Sequence, residues 1–181
     1  MKFTAQDALE KLKAGNLTFL TAESSSGDIS PALREKTSRE GQHPYAIIVA
    51  CSDSRVIPES IFSAGIGELF VIRVAGNVID NHQLGSIEYA AEHLGCRLVV
   101  VLGHSKCGAV NAAISHSTSG YVKYITDEIK LAIGEEKDDI KACCLNVKRS
   151  VERIKNAVKL EALQTVGAIY HLEDGRVEFF E

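Results

Sequence analysis

The chain has 181 residues with a formal net charge of −4, 45% apolar residues, and 20 basic against 24 acidic side chains. That size fits one domain with a sizeable core, and the charge gives no global basic bias toward nucleic acid or an anionic membrane. No apolar run approaches the roughly 20 residues that span a bilayer, and the acid-bearing start "MKFTAQDALEKLKAGN" is unlike a secretory signal, so a cytoplasmic setting is the expectation.

The first 40 residues read as a helical arm. Phe3, Leu9, Leu12, Leu17 and Leu20 recur at roughly helical spacing, a break follows at "ESSSGDIS", and Pro31 suits the first turn of a short helix. Three apolar, β-branched runs come next: "YAIIVAC" (45–51), "LFVIRV" (69–74) and "RLVVVLGH" (97–104). Continuous runs of strand length read as strands buried on both faces, hence a parallel sheet covered by helices. "LGSIEYAAEHLG" (84–95) carries Leu84, Ile87, Ala91 and Leu94 on one face and ends in glycine, the mark of a crossover helix. A long helical pattern covers 135–160, with Ile140, Cys144, Val147, Val151, Ile154 and Val158 on one side. Residues 163–180 read as strand, "EDG" turn and strand. The sum is a single α/β domain over 1–181, with a mainly parallel central sheet of about four strands, an antiparallel C-terminal edge strand and flanking helices.

Ligands of open α/β sheets sit beyond the carboxyl ends of strands. Cys51 and His104 stand at two such ends, and Cys107 follows within one turn. Two thiolates and an imidazole are good zinc ligands, and three protein ligands leave a fourth position open, as in catalytic sites. Two other readings stand beside this one. Cysteine is among the most buried residue types, so all three can be core; or Cys51 is a nucleophile whose thiol Arg55 acidifies. A phosphate loop is the least favoured reading, because Ala109-Val110 follow the second glycine of "GHSKCG" where a P-loop has Lys-Ser/Thr. Five cysteines, an odd number, argue against a disulfide framework, and the vicinal Cys143 and Cys144 read as structural or surface residues. In "CSDSR", Asp53 and Arg55 alternate with Cys51, so an extended backbone puts all three on one side.

With these residues in view, the chain resembles the β-class carbonic anhydrases. "CSDSRV", "GELFVIRVAGN", "GSIEYA" and "GHSKCGAV" follow one another in that family's order and approximate spacing, from about Gln42 to Val110. The resemblance implies zinc-dependent, reversible hydration of carbon dioxide to bicarbonate and a proton, by attack of zinc-bound hydroxide. It assigns one Zn²⁺ per chain to Cys51, His104 and Cys107, and the catalytic pair to Asp53 and Arg55. It places Gln42, Phe70, Ala75, Tyr89 and Gly108 around the substrate pocket, with Gln42, Phe70 and Tyr89 coming from a neighbouring subunit, so it implies a homodimer or higher homo-oligomer. A bicarbonate-inhibited subset has tryptophan three residues before the first zinc cysteine; Ile48 stands there, and the chain has no tryptophan. Gln42 resembles the subset with an accessible fourth zinc position, so water rather than Asp53 is expected there.

Overall fold

The computed structural model describes residues 3–24, 26–115 and 118–180. Among these, helix α1 (Ala5–Thr21) opens on a capping box in which Thr4 and Asp7 satisfy each other's end groups. Its Ala8 and Leu12 are buried, but Leu17 is 67% exposed, so only part of the expected apolar set faces the core. The reason lies at Asn16, a buried polar residue on the inward face. Its Nδ2 donates to the carbonyls of Ile61 and Gly175, and its Oδ1 accepts from Val177 N–H. Those three bonds set the rotation of the helix and turn Leu17 outward. Helix α2 (Pro31–Glu40) starts at Pro31, capped by Ser30.

The sheet contains β1 (Ala46–Ala50), β2 (Leu69–Arg73), β3 (Leu98–His104), β4 (Gln164–Tyr170) and β5 (Val177–Phe180), in the order β2-β1-β3-β4-β5. The first four are parallel and β5 runs antiparallel to β4, which matches the expected hairpin. Every residue of β1 and β3 is buried. Their side chains alternate between two cores, as a pleated strand requires. Ile47, Val49, Val99 and Val101 face one cluster; Ile48, Ala50, Val100 and Leu102 face the other, with Ala8 and Leu12 of α1.

The first of these cores is closed by α4 (Asn81–Glu92), α5 (Gly108–Ser115), α6 (Val122–Ile133) and α7 (Asp139–Ala157). A one-turn helix, α3 (Pro58–Ile61), lies on the other side, under α1. Gly95 has φ +77° just beyond α4, as its helix-stopping role requires. Helix α6 is a finding that the reading of the sequence did not include. The deep face of α7 is formed by Cys143, Asn146, Val147, Ser150 and Ile154, while Cys144 is half-buried.

Candidate metal centre

Strand β1 has β2 on one side and β3 on the other, so the chain reverses its direction of travel across the sheet at β1. Such a switch point leaves a crevice at the carboxyl ends of the two diverging strands. Ala50 is in register with Leu102, so Cys51 and His104 emerge there side by side. The chain then turns through Ser105-Lys106 and presents Cys107 just before α5. The ligating atoms of Cys51, His104 and Cys107 lie within 4.8 Å of one another, and all three residues are buried.

Each donor is prepared for a cation. His104 is 0% exposed. Its Nδ1 lies 2.9 Å from the Ser105 carbonyl, which fixes the proton on that nitrogen. Nε2 is left buried without a hydrogen-bond partner among the described residues. An orphaned imidazole nitrogen between two thiols is costly unless a metal takes its lone pair. Burial pulls the imidazole pKa down, but the proximity and charge of the Cys51 thiol outweigh it and the net shift is upward. The Cys51 thiol is held down to about 4, chiefly by its hydrogen bond with Cys107, with further support from the backbone N–H of Gly76 at 3.2 Å from Sγ. The same Cys51–Cys107 bond, with burial, pushes the Cys107 thiol up. The pair therefore gives up one proton readily and shares the other, and a dication displaces that second proton. These residues fit zinc on their chemistry and on their arrangement.

Asp53 and Arg55 lie against this cluster. Arg55 donates from Nε and from its backbone N–H to Asp53 Oδ1 at 2.9 and 3.0 Å, and from Nη2 to Oδ2 at 2.8 Å. This forked pairing is the strong kind, and it holds the Asp53 carboxyl well below the usual range. Asp53 Oδ2 lies 3.9 Å from His104 Nε2. The backbone carrying the pair is clamped in turn: Arg73 donates from Nε to the Cys51 carbonyl at 3.0 Å and from Nη2 to the Asp53 carbonyl at 2.7 Å.

The expected pocket residues divide into two groups. Ala75 precedes Gly76 in the turn that touches Cys51, and Gly108 opens α5 next to Cys107. Phe70, by contrast, is registered with Ile47, four residues before Cys51, which is roughly 13 Å back along the strand. Tyr89 on α4 is close to Phe70, with ring centroids 6.2 Å apart, and is 48% exposed. Gln42 is exposed and precedes β1 at the opposite end of that strand. One chain thus brings together Cys51, His104, Cys107, Asp53, Arg55, Ala75 and Gly108, and leaves Gln42, Phe70 and Tyr89 apart.

Comparison with known proteins decides the family. The family model described as "Carbonic anhydrase" matches residues 46–177. The chain belongs to the carbonic anhydrase family. A carbonic anhydrase of Mycolicibacterium smegmatis is 36% identical over 94% of this chain and 91% of its own length. Carbonic anhydrase 2 of Mycobacterium tuberculosis is 39% identical over 75% of this chain and 74% of that protein. Among solved structures, the β-carbonic anhydrase CafA of Aspergillus fumigatus superposes with a TM-score of 0.71 at 27% identity, covering 83% of this chain and 86% of that one. A Sordaria macrospora enzyme, one of two described as tetrameric β-carbonic anhydrases, gives 0.74 at 26% identity, covering 83% and 87%. The chain is therefore a β-class carbonic anhydrase, a lyase that hydrates carbon dioxide reversibly.

The reading of the sequence missed the carboxylates that anchor the 104–107 turn. Glu173 accepts from Ser105 Oγ at 2.9 Å and pairs with Lys106 Nζ at 2.9 Å. Asp139 Oδ2 accepts from Lys106 N–H at 2.8 Å. Nothing in the local sequence distinguishes either from a solvated surface acid.

Proposed function

We propose that Cys51, His104 and Cys107 hold one Zn²⁺ per chain and that Asp53 and Arg55 form the catalytic pair for carbon dioxide hydration. The observation that carries this is the orphaned Nε2 of His104, buried between two thiols and 3.9 Å from an ionised carboxylate. When bound, zinc supplies the acidity that brings a water from a pKa of ~15.7 toward roughly 7. Two thiolates and a neutral imidazole cancel the dication's formal charge, so the site leans on its neighbours to complete that activation.

Asp53 is the neighbour that acts. Its ionised Oδ2 accepts a hydrogen bond from the nucleophilic water and turns the water's free lone pair toward the substrate carbon. Arg55 keeps that carboxylate charged and aimed. Both Asp53 oxygens are engaged by Arg55, which supports water rather than Asp53 as the fourth ligand. Gly108 begins α5, and the free N–H groups of a helix start suit the negative charge that develops on a substrate oxygen. Ala75 forms an apolar wall beside it.

Gln42, Phe70 and Tyr89 complete the pocket from a neighbouring subunit, which makes the working unit a homodimer or a larger homo-oligomer. Phe70 lies half-buried on β2, an edge strand, and an edge with unpaired backbone groups favours pairing with a second copy. Residues 1–181 act as one domain, with 1–40 as its N-terminal arm. A site ligated by thiolates is suited to reducing surroundings, hence a cytoplasmic setting.

The test is stopped-flow hydration with metal analysis on three chains. Asp53→Ala should keep its zinc and lose about 10- to 100-fold in kcat, while Cys107→Ser should lose the metal itself. Full activity in zinc-loaded Asp53→Ala removes Asp53 from the mechanism. Turnover of carbon disulfide or carbonyl sulfide in preference to carbon dioxide would reassign the substrate.

A further inference from the structure

The turn that carries Cys107 is held in a conformation it would not adopt unaided. Lys106 has φ +54°, the left-handed region that crowds any residue with a Cβ. Something outside the turn must hold it there. Glu173 grips the side chains of Ser105 and Lys106, and the Ser105 carbonyl lies 2.9 Å from His104 Nδ1 within the turn. The contact to the N–H of that same peptide comes from α7: Asp139 Oδ2 accepts the Lys106 N–H at 2.8 Å. Asp139 Oδ1 is buried and has no hydrogen-bond partner among the described residues, so the bond this carboxylate makes there is the one to the turn. On the other side of the turn, the Lys106 carbonyl accepts from Arg55 Nη2 at 3.4 Å. One residue therefore links three groups: Asp139 behind it, Cys107 next along the chain, and the arginine that orients Asp53.

We propose that Asp139 is a positioning residue for the metal centre. By holding the Lys106 peptide in its left-handed setting, it places Cys107 Sγ toward Cys51 and His104, and points the Lys106 carbonyl at Arg55. Asp139 touches neither substrate nor metal. Asp138, which caps α7 by accepting from Lys141 N–H, leaves Asp139 unneeded as the helix cap. The proposal rests on the reading of Cys51, His104 and Cys107 as zinc ligands.

The experiment compares zinc-loaded full-length protein with Asp139→Ala and Asp139→Asn. Zinc release to a chromophoric chelator and the thiolate-to-metal absorption of the cobalt(II)-substituted protein are the readouts, beside kcat and KM. Asp139→Ala should release zinc about tenfold faster, shift the cobalt spectrum, and lower kcat at unchanged KM. Asp139→Asn keeps a carbonyl oxygen facing the Lys106 N–H and should restore all three. Wild-type release and spectrum in the alanine chain overturn the proposal. Equal impairment of both variants also overturns it, because that result assigns the effect to charge at the start of α7. If the alanine chain does not fold, hydrogen exchange in the wild type decides: the Lys106 amide, on an exposed residue, should be protected, and rapid exchange refutes the bond. Wild-type protein that binds no zinc would instead overturn the ligand assignment itself.

Discussion

At the scale of single residues, the candidate metal centre was legible where strand geometry dictates it and hidden where tertiary packing does. Cys51 and His104 end apolar strands, and adjacent parallel strands bring their carboxyl ends together. Alternation along "CSDSR" predicts Asp53 and Arg55 on one side of an extended chain, but Ser54 and Arg55 lie in a turn closed by Val56 N–H on the Asp53 carbonyl, and that turn brings the pair together. Glu173, Asp139 and Arg73 carry no such signal, because each reaches the site from an element that only the fold places there. Glu173 gives a measurable consequence. The Lys106 ammonium, then the Ser105 hydroxyl, hold its carboxyl down to about 2 from an ordinary 4.5. A folded value below the unfolded one means the stabilising contribution is complete above about pH 4.5 and is lost as pH falls toward 2. Glu173→Gln should therefore be less stable than wild type near neutrality. In urea unfolding across pH the difference should shrink steadily below pH 4.5. A difference independent of pH would show that the carboxylate charge is not what anchors the turn.

At the scale of elements, the strands were placed to within about a residue, because β-branched apolar runs buried on both faces have few alternatives. Helix α6 escaped notice for a physical reason. Its buried Thr126, Ile129 and Ile133 form a helical stripe, but Val122, Tyr124 and Leu131 are exposed and blur the contrast between faces. The start of α7 was also placed too early, since Asp138 rather than the preceding acidic run supplies the cap. How closely α7 packs on the sheet depends on Gly103. A Cβ at that position would lie 2.5 Å from Val147 Cγ2 and 3.0 Å from Ile169 Cδ1. Gly103→Ala should push α7 away from β3 and cost about 1–3 kcal/mol, lowering Tm by about 2–4 °C for each of those. Because α7 also bears Asp139, zinc release should quicken as well. An unchanged melting temperature would show that Val147 moves aside without cost.

At the scale of the whole molecule, one chain brings together only part of the proposed pocket. Its ligands, Ala75 and Gly108 are gathered at the sheet's switch point, while Phe70 and Tyr89 pair with each other farther back along the edge strand. The division is the strongest reason to expect two copies to share a site. Mixed dimers test it directly. Cys51→Ser chains supply aromatics but no metal site, and Tyr89→Ala chains supply the reverse. Random pairing of the two should recover about a quarter of wild-type activity, since half of the dimers are mixed and each has one complete site of two. Mixed dimers that form without any recovery would place Tyr89 outside the shared pocket.

The central claim is that a single ion between Cys51, His104 and Cys107 makes the catalytic site. Titrating chelator-stripped protein with zinc while following carbon dioxide hydration tests it most directly. Activity should be absent at the start, rise in proportion to added metal, and level off at one zinc per chain. Undiminished hydration by the stripped protein, or a fully loaded protein that does not hydrate carbon dioxide, would contradict it.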